Sequence, residues 1–321
     1  MSLEALRDYK IVRRKPLDIT FHGFKITSCG ALSSGSVMLN VMKTIEGYSD
    51  MCNPKSINMS SHHLTEAMRF GYGARTQLGD PSFIHNVTAF QLEMIKESTA
   101  SNIRSKISDP STLPIPAYNP AGIEVLETPG TSHVSTAGAC GMAIALTSTV
   151  NLYFGSKMMV PEMGLIMNNL MNDFSTLGQT DVFGFVPSPA NFIVPGKRPL
   201  SAMSPTIVER LSDSSLYYVF RGVGGSHIIT AIIKCLRNVL GRNMTVPEAL
   251  LSPRFHDQLI PDETEFEPTF DSSTIAFMAS RGHNITYSER QSDIEALKRL
   301  PNGTLEAGGD PSLLNSGGFP I

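Results

Sequence analysis

The chain has 321 residues, 41% of them hydrophobic and 17% charged, a globular composition with material for about two domains. Its net charge of -3 gives no reason to expect nucleic acid or an anionic membrane as a partner. Four cysteines, Cys29, Cys52, Cys140 and Cys235, lie too far apart for a zinc ribbon or a thioredoxin-like pair, and no apolar run reaches the length of a membrane span.

In chain order, residues 10 to 28 read as two short strands around His22-Gly23. Ser33-Ser34-Gly35-Ser36 opens a helix whose apolar positions Val37, Met38, Val41, Met42 and Ile45 share one face. The loop before it reads as a cap, or as a cradle for an anion. A second helix is expected from Ser61 to Leu78, ended by Gly79-Asp80-Pro81. His62 and Glu66, four apart on it, share a face and could share a metal. Two ligands without a third make a poor site, so they read as a solvated helix start and no metal is expected. A third helix spans about Ala89 to Ile103, and residues 108 to 130, rich in Pro, Ser, Thr and Gly, read as an exposed linker.

From Thr131 the pattern turns to strand: His133 to Thr136, a turn over Ala137 to Gly141, then Met142 to Thr149. A proline-rich stretch holds Pro195-Gly196-Lys197-Arg198-Pro199-Leu200-Ser201-Ala202-Met203-Ser204-Pro205. Tyr217 to Phe220 is a strand feeding Gly222-Val223-Gly224-Gly225 and a helix from Ser226 to Leu240. That loop is not a dinucleotide site, because His227 stands where a third glycine is needed, and no lysine follows as in a phosphate loop. Thr245-Val246-Pro247-Glu248 is a capping box. The last part is expected as strand (Thr274 to Met278), helix (Asp293 to Arg299) and strand (Gly303 to Ala307). Asn58, Asn86, Asn243, Asn284 and Asn302 open glycosylation sequons, which suit a glycoprotein but also arise by chance in a chain rich in Ser and Thr.

Taken alone, Gly130-Thr131-Ser132-His133 is a polar turn before a strand. Together with Thr149-Val150-Asn151, with Asn169-Leu170-Met171-Asn172-Asp173, with the Pro195 to Pro205 run and with Gly224-Gly225, it resembles the gamma-glutamyltranspeptidase family. That resemblance implies an α+β fold, the four-layer αββα sandwich of the N-terminal nucleophile hydrolases. It also implies self-cleavage at Gly130-Thr131, which splits residues 1 to 130, the end of a large subunit, from a small subunit of residues 131 to 321. The two would remain together as a heterodimer. A threonine hydroxyl needs a base, and a new N-terminal amine, with a reference pKa of about 7.7 to 8.0, supplies one.

By the same resemblance Thr149 supports Thr131, Asn151 and Asp173 hold the amine of a substrate such as glutathione, Ser201 holds its carboxylate, and Gly224 and Gly225 form the oxyanion hole. No cofactor is implied. Two positions depart from the family pattern: Ala202 stands where a second serine is expected, and Leu170 where an acidic or amide residue is. They leave open an acylase with another acyl group. The family's large subunit is longer, so the chain reads as entering it midway, which also leaves open a truncated, non-catalytic relative. Family members are mostly secreted, vacuolar or membrane-anchored, and no signal segment appears here.

Overall fold

Alternating apolar and polar residues make strands of Leu17–Phe21 (β1) and Phe24–Ser28 (β2), after a short helix Leu3–Arg7 (α1). The turn between the strands, His22-Gly23, has φ of 45° and 84°, the left-handed pair that closes a two-residue hairpin. The computed structural model describes residues 2–126, 131–178, 184–289, 292–311 and 317–318. Gly130, and with it the expected cleavage point, lies outside the described residues.

Helices follow at Gly35–Glu46 (α2), Ile57–Arg75 (α3), Val87–Met94 (α4), Glu97–Lys106 (α5) and Ile115–Tyr118 (α6). Val37, Met38, Val41, Met42 and Ile45 of α2 are all fully buried, and each such side chain is worth about 1.5–3 kcal/mol of transfer free energy. The next strands are Ser132–Ala137 (β3) and Ala143–Ser148 (β4), a short pair Met159–Val160 (β5) and Leu165–Ile166 (β6), then Thr206–Arg210 (β7) and Leu216–Val223 (β8). His227–Leu236 (α7) continues into a π turn at Arg237–Gly241, followed by Val246–Leu251 (α8), whose Thr245–Glu248 capping box is formed as expected. The chain closes with Phe255–His256 (β9), Thr264–Phe266 (β10), Ser272–Ser280 (α9), Ile285–Tyr287 (β11), Asp293–Arg299 (β12) and Leu305–Gly308 (β13).

One antiparallel sheet, in the order β1-β2-β7-β8-β12-β13, organises the molecule. Its β2–β7 pairing joins residues from either side of position 130, so the two expected segments share a sheet. Helices α2 and α7 pack on one face. Gly222 of β8 lies on that face, where an added Cβ would meet Ile228 of α7 at 3.1 Å. Its neighbour Arg221 therefore points to the opposite face, where the β3–β4 hairpin lies against β8 and Arg221 Nη1 donates to the carbonyl of His133. The outer face of the hairpin exposes Val134, Ile144 and Leu146. No helix among the described residues is long and apolar enough to cross a membrane.

Four expectations about the secondary structure and exposure of segments are corrected by the structure. The single helix over 89–103 is two, because Asn40 Nδ2 donates to the Met94 carbonyl at 2.6 Å and Lys96 is extended. The linker over 108–126 is not all exposed: α6 buries Tyr118, and Gly73 is required where a Cβ would meet the Tyr118 carbonyl at 2.1 Å. Residues 274–278 are helical, since the Asp271 carboxylate caps the Thr274 amide at 2.7 Å. Residues 293–299 form a strand, paired on both edges with β8 and β13, which outweighs the helix propensity of Glu, Ala, Leu and Lys.

Candidate active site

The register of β3 and β4 pairs Ser132 with Ser148. Thr131 and Thr149 lie one residue beyond that pair, at the same end of the hairpin. Thr131 is half-buried. Thr149 Oγ1 accepts the Asn151 amide at 2.8 Å, which holds Asn151 in a left-handed turn with φ 74°. The loop at 150–152 is clasped to Asn169: its amide donates to Val150 O at 3.2 Å, its side-chain oxygen accepts from the Leu152 amide at 3.1 Å, and its carbonyl accepts from Asn151 Nδ2 at 3.3 Å. Asn169 starts the 3-10 turn Leu170–Asp173, so the same clasp carries Asp173.

Asn151 and Asp173 are both buried, and each has an oxygen, Oδ1, with no hydrogen-bond donor among the described residues. Burial pushes the Asp173 carboxyl up to about 6, and the nearby Arg75 charge opposes the rise. Such acceptors are unusual in a protein interior and complement a cationic donor.

Asn191 ties this region to the serine run. It donates from Nδ2 to the Asp173 carbonyl at 2.7 Å and accepts the Leu200 amide at 3.0 Å. Ser201 follows. Its amide donates to Leu32 O at 2.9 Å and its carbonyl accepts from Ser34 Oγ at 2.7 Å. Ser34 Oγ in turn accepts from Arg75 Nε at 3.0 Å, and Arg75 Nη1 donates to Leu126 O at 3.1 Å. Ser34 thus makes no side-chain cap and its loop holds protein groups, where a cap or an anion cradle was expected. Sequence reasoning missed Asn191 and Arg75. An arginine on the buried stretch of α3 was the available signal for the second, and the proline-rich setting of Asn191 offered none.

Gly224 and Gly225 have φ of 125° and 66°, backbone that favours glycine, at the turn from β8 into α7. The Arg221–His133 bond brings this end of β8 beside the strand that starts after Thr131. His133 is neutral near pH 7: burial, then the Arg221 charge, pushes its pKa down to about 4, and Thr147 Oγ1 lies 2.7 Å from its Nδ1. Leu170 is half-buried on its 3-10 turn, and Ala202 is 2% exposed, packed within the core.

His62 and Glu66 depart from expectation. They are fully buried, and His283 from the loop after α9 joins them, with ligand atoms of all three within 4.8 Å. His62 Nε2 donates to Ser108 O at 2.8 Å, so its Nδ1 is the acceptor for His283 Nε2–H, also at 2.8 Å. Tyr118 OH and Thr112 Oγ1 donate to the two Glu66 oxygens at 2.6 and 2.8 Å. Burial pushes Glu66 up to about 7. This is a hydrogen-bonded brace joining α3, the 108–118 segment and the loop before β11.

Residues 1–316 match the sequence profile described as Gamma-glutamyltranspeptidase. The chain belongs to the gamma-glutamyltranspeptidase family. A glutathione hydrolase proenzyme of Arthroderma benhamiae is 49% identical over the whole chain, and a glutathione hydrolase of Aspergillus flavus is 39% identical over 99% of it. These matches cover 55% and 54% of the two relatives, so the chain spans about half the length of the curated relatives it matches. Among solved structures, a gamma-glutamyltranspeptidase from Pseudomonas nitroreducens superimposes with a TM-score of 0.53 at 34% identity, covering 60% of this chain and all of that one. A cephalosporin acylase from Bacillus halodurans superimposes with a TM-score of 0.77 over 97% of this chain and 54% of its own, at 20% identity, and shows the fold alone. The fold class is α+β, the αββα sandwich of the N-terminal nucleophile hydrolases. Within the described residues the β3–β4 hairpin lies on the face of the six-stranded sheet opposite α2 and α7.

Proposed function

We propose that this member of the gamma-glutamyltranspeptidase family is a self-processing gamma-glutamyl transferase and glutathione hydrolase. The observation that carries the reading is the pair of buried acceptors, Asn151 Oδ1 and Asp173 Oδ1, held by one clasp beside Thr149. Two oxygens without donors suit the ammonium of an amino-acid substrate, because charge-assisted hydrogen bonds are about twice as strong as neutral ones.

In this reading the Thr131 hydroxyl adds to the Gly130 carbonyl, and the peptide bond becomes an ester. Water then hydrolyses the ester, leaving residues 1–130 and 131–321 as two subunits that share the β2–β7 pairing. The freed Thr131 amine takes the proton of its own hydroxyl as that oxygen attacks the gamma-glutamyl amide. The Gly224 and Gly225 amides face the negative charge that develops on the carbonyl oxygen, a contribution worth about 3–4 kcal/mol. The leaving amine departs with that proton. Water or an amino acid then takes the acyl group from Thr131, and Thr149 keeps the hydroxyl in line.

The buried Ala202 favours a second reading of the same chemistry, with an acyl group less polar at its carboxylate end. Intact-mass measurement with N-terminal sequencing tests self-processing: two fragments, the smaller starting at Thr131, are expected, and Thr131→Ala leaves one chain of 34.9 kDa. Wild-type protein that stays uncut overturns the proposal. Rates on gamma-glutamyl and simple acyl anilides then separate the two acyl classes.

A further inference from the structure

Helix α7 leaves the glycine pair at one end, and its other end, roughly 15 Å away at 1.5 Å per residue, borders a second cavity of about 470 Å³. Lys234, Arg237 and Arg242 line it. None of the three forms an ion pair among the described residues. Their hydrogen bonds go to neutral acceptors: Lys234 Nζ to Pro253 O at 2.6 Å, Arg237 Nε to Met51 O at 3.1 Å and Arg237 Nη2 to Ser60 Oγ at 2.6 Å. Arg242 Nε and Nη2 are buried with no acceptor.

The carboxylate on the cavity wall, Asp271, is occupied by the α9 cap, where it accepts from the Thr274 amide and from the Ser273 and Thr274 hydroxyls. Glu267, nearby, is bound by Arg254. Burial, against the pull of Glu267 and with repulsion from the neighbouring arginines, holds Lys234 well below its ordinary range, and burial with the Arg242 charge brings Arg237 down to about 9. Cations at a helix C-terminus complement its dipole, which accounts for the sign of the charge. It does not account for three of them around one cavity whose single lining carboxylate, Asp271, is turned to the α9 cap and makes an ion pair with none of them, an arrangement that a bound anion would improve.

The apolar side of the cavity is as specific as the charged side. Lys234 Nζ lies 4.5 Å from the Phe255 ring centre and 4.8 Å from that of Phe270, and both rings line the cavity. The helix here also leaves the α ladder for the π turn Arg237–Gly241, a departure that recurs at functional sites. We propose that this cavity binds a small organic anion, a carboxylate or phosphate on an apolar body, with the anionic end against Arg242 and Lys234 and the body against Phe270. The site is separate from the gamma-glutamyl chemistry and stands whether or not that reading holds.

Calorimetric titration of the full chain with phenyl phosphate, benzoate and inorganic phosphate, at constant ionic strength set with chloride, tests the proposal. Saturable one-to-one binding of phenyl phosphate or benzoate is expected, tighter than that of inorganic phosphate, and weakened about tenfold or more by Arg242→Gln. Preference for phenyl phosphate assigns a phosphate, and preference for benzoate a carboxylate. Lys234→Met is expected to raise the melting temperature without ligand, by removing an amine whose charging burial disfavours, and to abolish the further rise that the ligand gives the wild type. Absence of saturable binding by either aromatic probe, or equal binding by folded Arg242→Gln protein, overturns the site. Binding of inorganic phosphate as tight as that of both aromatic probes overturns the apolar half of it.

Discussion

Arg221 donates from Nη1 to the main-chain carbonyl of His133, two residues from Thr131, while its Nη2 meets Glu295 Oε1 at 2.8 Å. One side chain thus joins the strand that begins at the proposed nucleophile, the strand that ends in the glycine pair, and β12. Arg221→Met leaves the His133 carbonyl without that donor. We expect a stability loss of about 1–3 kcal/mol in urea, together with slower self-cleavage, read as the half-time for appearance of the smaller fragment. Unchanged cleavage in a variant that is clearly destabilised would confine Arg221 to the fold.

In the proposed function Asp173 sets a pH dependence for binding. Its carboxyl is pushed up to about 6, so the anion that would face the substrate ammonium is lost as pH falls through 6. The KM for a gamma-glutamyl anilide should rise below pH 6 with a smaller change in kcat. Asp173→Asn should raise KM more than tenfold at pH 8, matching about 1.5–3 kcal/mol for a hydrogen bond to a charged group. Arg75 opposes the upward shift, so Arg75→Met should move the limb to higher pH. A carboxyl with a raised folded pKa contributes less stability above that pKa than below the unfolded value. Relative to wild type, Asp173→Asn should therefore melt higher at pH 8 than at pH 5.

The His62–His283 pair contributes acid lability, opposed by Glu66, whose raised carboxyl takes up a proton in the native state over the same range. Burial lowers the His62 pKa and pushes His283 down to about 2, so the unfolded chain binds protons that the native state refuses. Stability from these groups is present above about pH 6.5 and is lost progressively as pH falls below it. His283→Leu should melt lower than wild type at pH 7.5, because His62 Nδ1 loses its donor, and should decline less steeply between pH 6.5 and 4.5. Parallel melting curves across that range would contradict the assignment.

Ala202 tests the acyl specificity. Ala202→Ser places a hydroxyl among packed apolar neighbours and should cost about 1–3 kcal/mol if it finds no partner. If the position faces the substrate carboxylate, the same variant should lower KM for a gamma-glutamyl anilide about tenfold, and simple acyl anilides should gain nothing. Loss of stability without a KM change would place Ala202 in the core alone.

Local chemistry made much of this protein legible from sequence. The hairpin from Ser132 to Ser148, helix α2 with its buried stripe, the Thr245 capping box and the glycine pair at the end of β8 each depend on neighbours within a few residues, and the ordered motifs around Thr131 were enough to indicate the family. The tertiary structure decided what depends on partners distant in sequence. Residues 293–299 carry helix formers yet lie between two strands whose backbone groups they satisfy. His62 and Glu66 look solvated until His283, more than 200 residues on, meets them in the interior. Asn191 and Arg75 matter because they bond to the backbone at Asp173, Leu200 and Leu126 and to the Ser34 hydroxyl, and no spacing in the chain encodes those contacts. Hydrophobic period and capping are local properties of a chain, whereas the pairing of a buried polar group is settled only by which distant segment packs against it.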